Sequence, residues 1–234
     1  MAETRPSTRE AGLRDASSSL ARLWQPPGGL SRSEALLAIV LASTSGLGIL
    51  VHTFGPVPMS FSAPFVVFPT ACLLAGAILV RRQLPERFHA FARALVAGAS
   101  WGMVATLFYD GIRPLLGFLF GFTFNPYRAI LIFGELITGL PRSDPFAVAA
   151  GWTYHFWNGT SFGMMFALFR PQGGILPGVL WAETLQVLMM IAYPSFLNAR
   201  LDDPGFMATG IIGHGLWGIV LGAGLKRTWA RQAG

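Results

Sequence analysis

Residues 151–163 read Gly-Trp-Thr-Tyr-His-Phe-Trp-Asn-Gly-Thr-Ser-Phe-Gly, and they lie within an apolar segment, 146–169, that contains no Asp, Glu, Lys or Arg. Side chains four residues apart lie on one face of a helix. The stretch therefore predicts a helix with a stripe of small residues around one histidine, formed by Gly151, His155, Gly159 and Gly163, with Asn158 beside it.

The same spacing returns near the C-terminus in Gly210, His214, Gly218 and Gly222. Small residues at this spacing let membrane helices pack closely, so we interpret the glycines of both stripes as helix-packing positions. A histidine inside a membrane helix is either an interhelical hydrogen-bond partner or part of a functional site, because ionisable groups are costly there. The sequence supports both interpretations.

The composition places the chain in a membrane. Of 234 residues, 53% are hydrophobic and 12% are charged, against about 25% charged in soluble proteins. Apolar runs of about 20 residues are long enough to cross a bilayer. The net charge of +6 comes from cations at the ends of apolar segments, which indicates membrane topology and no nucleic-acid partner. The only cysteine, Cys72, excludes an intramolecular disulfide.

We predict an all-α, polytopic transmembrane helical bundle with six spanning helices, over 35–53, 65–80, 91–109, 146–169, 175–193 and 206–225. Segment 114–141 is long enough to span, but Asn125, Pro126, Tyr127 and Arg128 interrupt it. A proline and an arginine at mid-bilayer are expensive, so we expect two half-segments that meet at a polar turn, either re-entrant or discontinuous. If this segment does cross, the protein has seven spans.

Charge predicts the orientation and the domain limits. Residues 1–33 form a cytoplasmic tail that we expect to be disordered, 34–226 the transmembrane domain, and 227–234 a basic C-terminal tail. The arginine cluster at 81–93 marks a cytoplasmic loop. Six spans leave more of the lysines and arginines on the cytoplasmic side than seven do, which favours six.

The six-span topology brings polar residues together in the outer half of the bundle. The helices of His155 and His214 run in the same direction, so we expect the two imidazoles to face each other across one cavity. Gln186 lies at a comparable depth and Glu183 one turn deeper. Asp110 is expected to cap the outer end of the third helix, and His52 lies near the outer end of the first.

Several chemistries fit these residues. A metal ion bound by His155, His214 or His52, a haem between two histidines, and a proton relay through histidine and Glu183 are all compatible with the side chains. The spacings match no specific metal or cofactor motif, so the cofactor stays unknown. Glu183 and Asp110 are the candidates for catalytic acids.

Three function classes follow. The leading hypothesis is a protein that moves or senses a small solute or ion through the cluster of His155, Asn158, Gln186, Glu183 and His214, because interrupted helices often build transport sites. The alternative is a membrane-embedded enzyme acting on a lipid or isoprenoid, which predicts a lateral opening to lipid. The third is a structural subunit, a homo-oligomer or a partner of another membrane protein, docked through the glycine stripes.

The C-terminal part of the chain resembles the YagU-like bacterial inner-membrane proteins. The matching features are His155 followed by Ser161-Phe162-Gly163, the proline-glycine loop 171–174, Gly213-His214, Trp217, and the basic end at Lys226-Arg227. The resemblance implies a bacterial inner-membrane protein of unestablished mechanism, tied to acid or envelope stress. It carries over no catalytic residue.

Overall fold

The computed structural model describes residues 31–80, 83, 85–123, 125–197 and 202–233, and the predicted N-terminal tail lies almost entirely outside this part of the chain. Within these residues all regular structure is helical, which confirms the predicted class. The helices are α1 Arg32–Phe54, α2 Met59–Leu79, α3 His89–Phe120, α4 Arg128–Thr138, α5 Pro145–Phe169, α6 Ile175–Leu197 and α7 Pro204–Ala233.

Among the described helices, α1, α2, α3, α6 and α7 are long and apolar enough to cross a membrane. Helix α5 has 25 residues and no charged side chain, but its histidine, asparagine, tryptophans and hydroxyl residues lower its hydropathy. Helix α4 has 11 residues and is roughly 16 Å long, too short to span. The protein is therefore a multi-helix membrane bundle.

Helix α3 lies at the centre of the bundle. It packs most extensively against α5 on one side and against α7 on the other. Helix α7 also packs along α6, whereas α4 and α1 pack against α5. The main hydrophobic core, which includes Leu95, Met164 and Leu221, fills the space between these helices. The two histidine-bearing helices are consequently separated by α3.

Glycines set the distance between the central helices. A Cβ atom added to Gly98 of α3 would lie 2.6 Å from the carbonyl oxygen of Gly163 in α5. A Cβ atom on Gly178 of α6 would lie 3.0 Å from the Cα atom of Gly222 in α7. These backbones approach so closely that only glycine fits, and dispersion contacts hold them together in a solvent that gives helices no hydrophobic reason to associate.

The second spanning helix begins earlier than predicted. It starts at Met59, directly after Pro58, so the loop after α1 is shorter than expected. A widened π-helical stretch, Ala63–Val67, takes in Pro64 and leads into the regular helix Phe68–Leu79. Pro64 lies beyond the first turn of α2 and lacks the N–H that a regular helix uses there, and the helix accommodates it in the widened stretch.

The prediction that Asp110 caps the third helix is wrong, because α3 continues through Asp110, Gly111 and Pro114 to Phe120. Pro114 has no N–H to donate to the carbonyl oxygen of Asp110, four residues earlier. The hydroxyl of Tyr127 donates to this oxygen instead, at 3.0 Å. The lost backbone hydrogen bond is thus replaced from outside the helix, and α3 needs no break at the proline.

The predicted interruption of segment 114–141 is present, but its first half completes α3 and is not a separate half-helix. Gly121 adopts a left-handed conformation with φ 67° and ends α3. Helix α4 then runs antiparallel to the start of α5, because Gly134 lies against Ala147 and Ile130 lies against Gly151. The chain therefore leaves α3 at its end, returns alongside Asp110 at Tyr127, and runs out again as a re-entrant half-helix.

The C-terminus also differs from the sequence reading. Helix α7 continues to Ala233, so the predicted helix end at residue 225 is too early, and Lys226, Arg227 and Arg231 lie within the helix. Trp101 of α3 donates a hydrogen bond to Thr228 at 2.9 Å and ties this basic end to the bundle.

Candidate functional site

The centre of the site is an ion-pair network between α3 and α5. Nε2 of His155 lies 3.0 Å from each carboxylate oxygen of Asp110. On the other side, Nη1 of Arg113 lies 3.4 Å from Oδ1 of Asp110. Asp110 and Arg113 are buried, at 7% and 6% exposure. A buried carboxylate is costly unless it is paired, and here one cation and one imidazole satisfy it.

Aromatic rings enclose the arginine. The guanidinium carbon of Arg113 lies 4.6 Å from the ring centre of Tyr109 and 5.6 Å from that of Tyr127. Both distances are within cation–π range. Tyr127 also contacts Trp152, with ring centres 5.3 Å apart. The re-entrant segment before α4 therefore closes the network on the side away from the core.

Local helix geometry explains why these side chains meet. Asp110 and Arg113 are three residues apart and share one face of α3. In α5, Gly151 lies against α4, whereas Gly159 lies against Thr106 of α3. His155 stands between these two glycines on the same stripe. It is therefore placed where α5 passes from its contact with α4 to its contact with α3, directly beside Asp110.

His214 approaches the same region from α7. Its Nδ1 donates to the carbonyl oxygen of Gly210 at 2.9 Å. Its ring centre lies 4.8 Å from that of Tyr109 in an edge-on arrangement, while the ring of His155 lies 6.1 Å from Tyr109. The two imidazoles do not simply face each other as expected, since Tyr109 of the intervening helix contacts both.

A cavity of about 280 Å³ joins the two histidines. Its polar wall comprises Thr106, Tyr109, His155, Asn158 and His214, and the rest is mainly apolar surface from α1 and α6. Trp217 closes the inner part, where its indole N–H donates to Thr106 at 3.1 Å. Every residue that lines the cavity is uncharged when histidine is neutral.

The cavity is partly open between α1 and α6, which contact each other only slightly. Leu47 of α1 and Leu188 of α6 line it and remain 46% and 44% exposed. Thr184 of α6, also in the lining, is exposed as well. In a bilayer this surface of the bundle meets lipid, so the opening is lateral.

The remaining residues singled out from the sequence lie outside the cavity wall. Gln186 is buried against α7, where a Cβ atom on Gly210 would overlap its amide. The carboxylate of Glu183 lies near Gly215 of α7. His52 is half-buried on α1. Of the proposed ligand set, the structure therefore brings together His155, Asn158 and His214, and it adds Asp110.

Metal binding has little support from this geometry. Among the residues that the structure describes, no group of three His, Cys, Asp or Glu side chains converges as a metal site. Nε2 of His155 is already occupied by Asp110. Two imidazoles separated by a tyrosine ring are a poor start for a coordination shell, which requires ligands that point at one centre.

Sequence reasoning missed three members of the site, Arg113, Tyr109 and Tyr127. Arg113 lies three residues after Asp110, a spacing that by itself predicts a shared helix face. Tyr109 carried no signal beyond helical phase. The sequence signal for Tyr127 is indirect. Pro114 leaves the carbonyl group of Asp110, four residues earlier, without its backbone donor, so another donor is needed.

No protein-family model, curated protein or solved structure matches this chain. The site is therefore interpreted from its own chemistry, and the YagU-like relationship stays a prediction.

Proposed function

We propose that this integral membrane protein takes a small, mostly apolar molecule from the bilayer and holds it in the cavity between α1 and α6, in order to move or sense it. The observation that carries the proposal is the cavity itself. Its mouth is formed by lipid-exposed leucines, and its inner wall bears the two histidines and Asn158. A ligand with an apolar body and one polar group fits this cavity, because its polar group meets the polar inner wall and its apolar body lies towards the apolar mouth.

The size of the cavity sets the size of the ligand. An engineered apolar cavity of about 150 Å³ holds benzene, and this one is about 280 Å³. A molecule with two fused rings, or a chain of similar volume, fits inside. Larger amphipathic molecules fit only if part of the chain stays in the lateral opening.

The charge distribution argues against an ion as the ligand. The cavity wall holds no charged side chain, and the carboxylate of Asp110 is already balanced by Arg113. A free ion in this apolar space would lack both water and a counter-charge, which is costly in a membrane interior. The solute of the leading hypothesis is therefore narrowed to a neutral molecule.

A tryptophan at the mouth tests the proposal. Thr184 lines the cavity and donates to the carbonyl oxygen of Leu180 at 2.8 Å, whereas Thr153 makes the equivalent bond to Ala149 at 2.8 Å and does not line it. We expect Thr184→Trp to block binding of naphthalene-sized probes to protein in lipid nanodiscs, measured by quenching of intrinsic fluorescence. Thr153→Trp is the matched control. Equal binding by both variants and the parent would end the proposal.

A second function is favoured by one observation, the hydrogen bond between Nε2 of His155 and the carboxylate of Asp110. A carboxylate on one imidazole nitrogen orients the ring and makes the other nitrogen a better base. Together with the lateral opening, this arrangement suits an enzyme acting on a lipid or isoprenoid. The enzyme reading requires that the protein change the composition of membrane lipids in proteoliposomes, and that His155→Gln abolish the change. Mass spectrometry of the extracted lipids measures both.

We also propose that the protein lies in the bacterial inner membrane with the N-terminus in the cytoplasm. The arginines around the loop before α3 and the cations at the end of α7 support this orientation. In a Cys72→Ser background, we expect an impermeant maleimide added to intact spheroplasts to label Ser143→Cys and to leave Gln83→Cys unlabelled. Both positions are exposed. The reverse pattern would invert the topology.

A further inference from the structure

Hydrogen bonds fix which nitrogen of His155 carries the proton. Its Nε2 lies 3.0 Å from both oxygens of Asp110, and a carboxylate accepts hydrogen bonds, so Nε2 is the donor. With Arg113 beside Asp110 the network is already neutral, and a second proton on His155 would add an unbalanced charge in a low-dielectric interior. The remaining nitrogen, Nδ1, therefore carries a lone pair and is the atom left for a ligand.

The same reasoning applies to His214. Its Nδ1 lies 2.9 Å from the carbonyl oxygen of Gly210, and a carbonyl can only accept, so Nδ1 is the donor. Nε2 then carries the lone pair. Both histidines that line the cavity thus use one nitrogen to donate within the protein and keep the other as an acceptor.

Three of the four hydroxyl groups in the cavity wall, all except that of Tyr109, have no hydrogen to spare for a ligand. Ser43, Thr106 and Thr184 each donate to a backbone carbonyl of their own helix, at 2.8 Å. Each hydroxyl has one hydrogen, so its remaining capacity is as an acceptor. Apart from the Tyr109 hydroxyl and the Trp181 indole N–H, the wall therefore offers a ligand mainly hydrogen-bond acceptors.

Asn158 supplies the complementary group. It is 8% exposed, lines the cavity, and its Oδ1 has no hydrogen-bond partner in the part of the chain that the structure describes. Buried amides in folded proteins are nearly always hydrogen-bonded. The two ends of an amide are exchangeable by rotation, so Asn158 can offer a ligand either a donor or an acceptor.

Building on the proposed function, we infer that the polar group of the ligand is a hydroxyl, in an alcohol or a phenol. A hydroxyl donates to an imidazole nitrogen and accepts from the Asn158 amide at once. A ketone, ester or ether has no hydrogen for the imidazoles. A carboxylate or phosphate finds no cation among the lining residues and meets the lone pairs of the histidines and hydroxyls.

Four probes of one shape test the inference: 2-naphthol, 2-methoxynaphthalene, 2-naphthoate and naphthalene. Each is titrated into the protein in nanodiscs, with empty nanodiscs as the reference for partition into lipid. We expect 2-naphthol to bind roughly tenfold more tightly than the ether and the hydrocarbon, which is the effect of one or two buried hydrogen bonds. The naphthoate is expected to bind weakest. A second series, 1-decanol and its methyl ether, distinguishes alcohols from phenols.

Two variants test whether the preference for 2-naphthol over its ether arises in the cavity. His214→Phe removes one acceptor, and we expect it to reduce the preference for naphthol over its ether severalfold. His52→Phe makes the same change on α1 outside the cavity wall and is expected to leave the preference unchanged.

The outcomes separate the inference from the proposed function. If naphthol, ether and hydrocarbon bind equally well, the hydroxyl inference is wrong and the cavity still binds apolar molecules. Tightest binding of the naphthoate also overturns it. If no probe binds above the empty nanodisc, the proposed function fails and the inference fails with it. The comparison among probes uses the unaltered protein, so it does not depend on whether a variant folds.

Discussion

Nε2 of His155 lies 3.0 Å from both carboxylate oxygens of Asp110, and this contact joins residues 45 positions apart in the chain. It connects the central helix α3 to α5 at the level where the cavity begins. Because Arg113 pairs with the same carboxylate, the contact is part of a neutral buried network. It positions the imidazole, and it makes the stability of the bundle depend on the charge of Asp110.

The first prediction concerns that charge. Asp110→Asn keeps the shape of the side chain but leaves Arg113 buried without its counter-ion. Removing one partner of a buried pair typically costs about 3 kcal/mol or more, so we expect a clear fall in the thermal unfolding midpoint in mild detergent. The double variant Asp110→Asn/Arg113→Met should recover part of the loss, because it also removes the unpaired cation.

Glu135→Gln is the control for this experiment. Glu135 pairs with Arg142 at the exposed end of α4, and both side chains are accessible. Exposed ion pairs contribute about 0–1 kcal/mol, so the midpoint should hardly change. A fall as large as that of Asp110→Asn would contradict the distinction between the two pairs.

The second prediction concerns the glycine contact between α3 and α5. A Cβ atom on Gly163 would overlap the carbonyl oxygen of Gly98 and lie 2.7 Å from the Cα atom of Gly102. Backbone cannot rotate away as a side chain can, so Gly163→Ala should separate the helices. We expect a loss of about 1–3 kcal/mol, measured by unfolding in detergent.

Gly111→Ala provides the comparison, because a Cβ atom there meets nothing within 4 Å. Replacing a helical glycine with alanine in open space favours the helix by about 0.5–1 kcal/mol. The two substitutions are thus expected to act in opposite directions. The same sign for both would show that close approach does not determine the effect at Gly163.

The third prediction concerns the carbonyl group of Asp110. Tyr127→Phe removes the hydroxyl that donates to it at 3.0 Å, and we expect a loss of about 1 kcal/mol. Hydrogen exchange at 125–127 should become faster, because the re-entrant turn loses its attachment to α3.

Pro114→Ala then provides a specific rescue. Alanine brings back the N–H that proline lacks, and this group can donate to the carbonyl of Asp110 within the helix. In the Pro114→Ala background, Tyr127→Phe should therefore reduce the free energy of unfolding less than it does in the parent. A double-mutant cycle measures the difference. Strictly additive effects would show that the Tyr127 hydroxyl does not replace the N–H that Pro114 lacks.

The fourth prediction concerns the attachment of α1. Ser45 and Ser161 are fully buried, and their hydroxyl oxygens lie 2.6 Å apart. Hydrogen bonds between membrane helices average about 0.6 kcal/mol. A cycle of Ser45→Ala and Ser161→Ala should therefore give a coupling of about this size. Ser43→Ala is the control, because its hydroxyl bonds Val40 of its own helix.

Several features were predictable before any coordinates. Runs of apolar residues located every long helix, and Asn125 and Pro126 located the interruption before α4. The glycine stripes indicated positions of close helix contact. These features are local, since they depend on residues within a few turns of one another.

The end of α3 and the composition of the site were not predictable in the same way. Asp110 and Pro114 together suggest a helix end, but the helix continues to Phe120, and Tyr127 donates to the carbonyl group that the proline leaves without a partner. Which helix lies between the two histidines depends on how all the helices pack. Several arrangements of the helices would bury the same glycine stripes in close contacts.

The sequence by itself determined that this chain is a bundle of membrane helices with histidines beside glycines, because length, hydropathy and spacing are properties of single segments. Only the tertiary structure decided that Asp110 holds His155 and that Tyr109 stands between His155 and His214. It also decided that the cavity opens between α1 and α6. The physical reason is that many weak contacts between helices together select which helices become neighbours. These contacts cannot be read from the sequence of one segment.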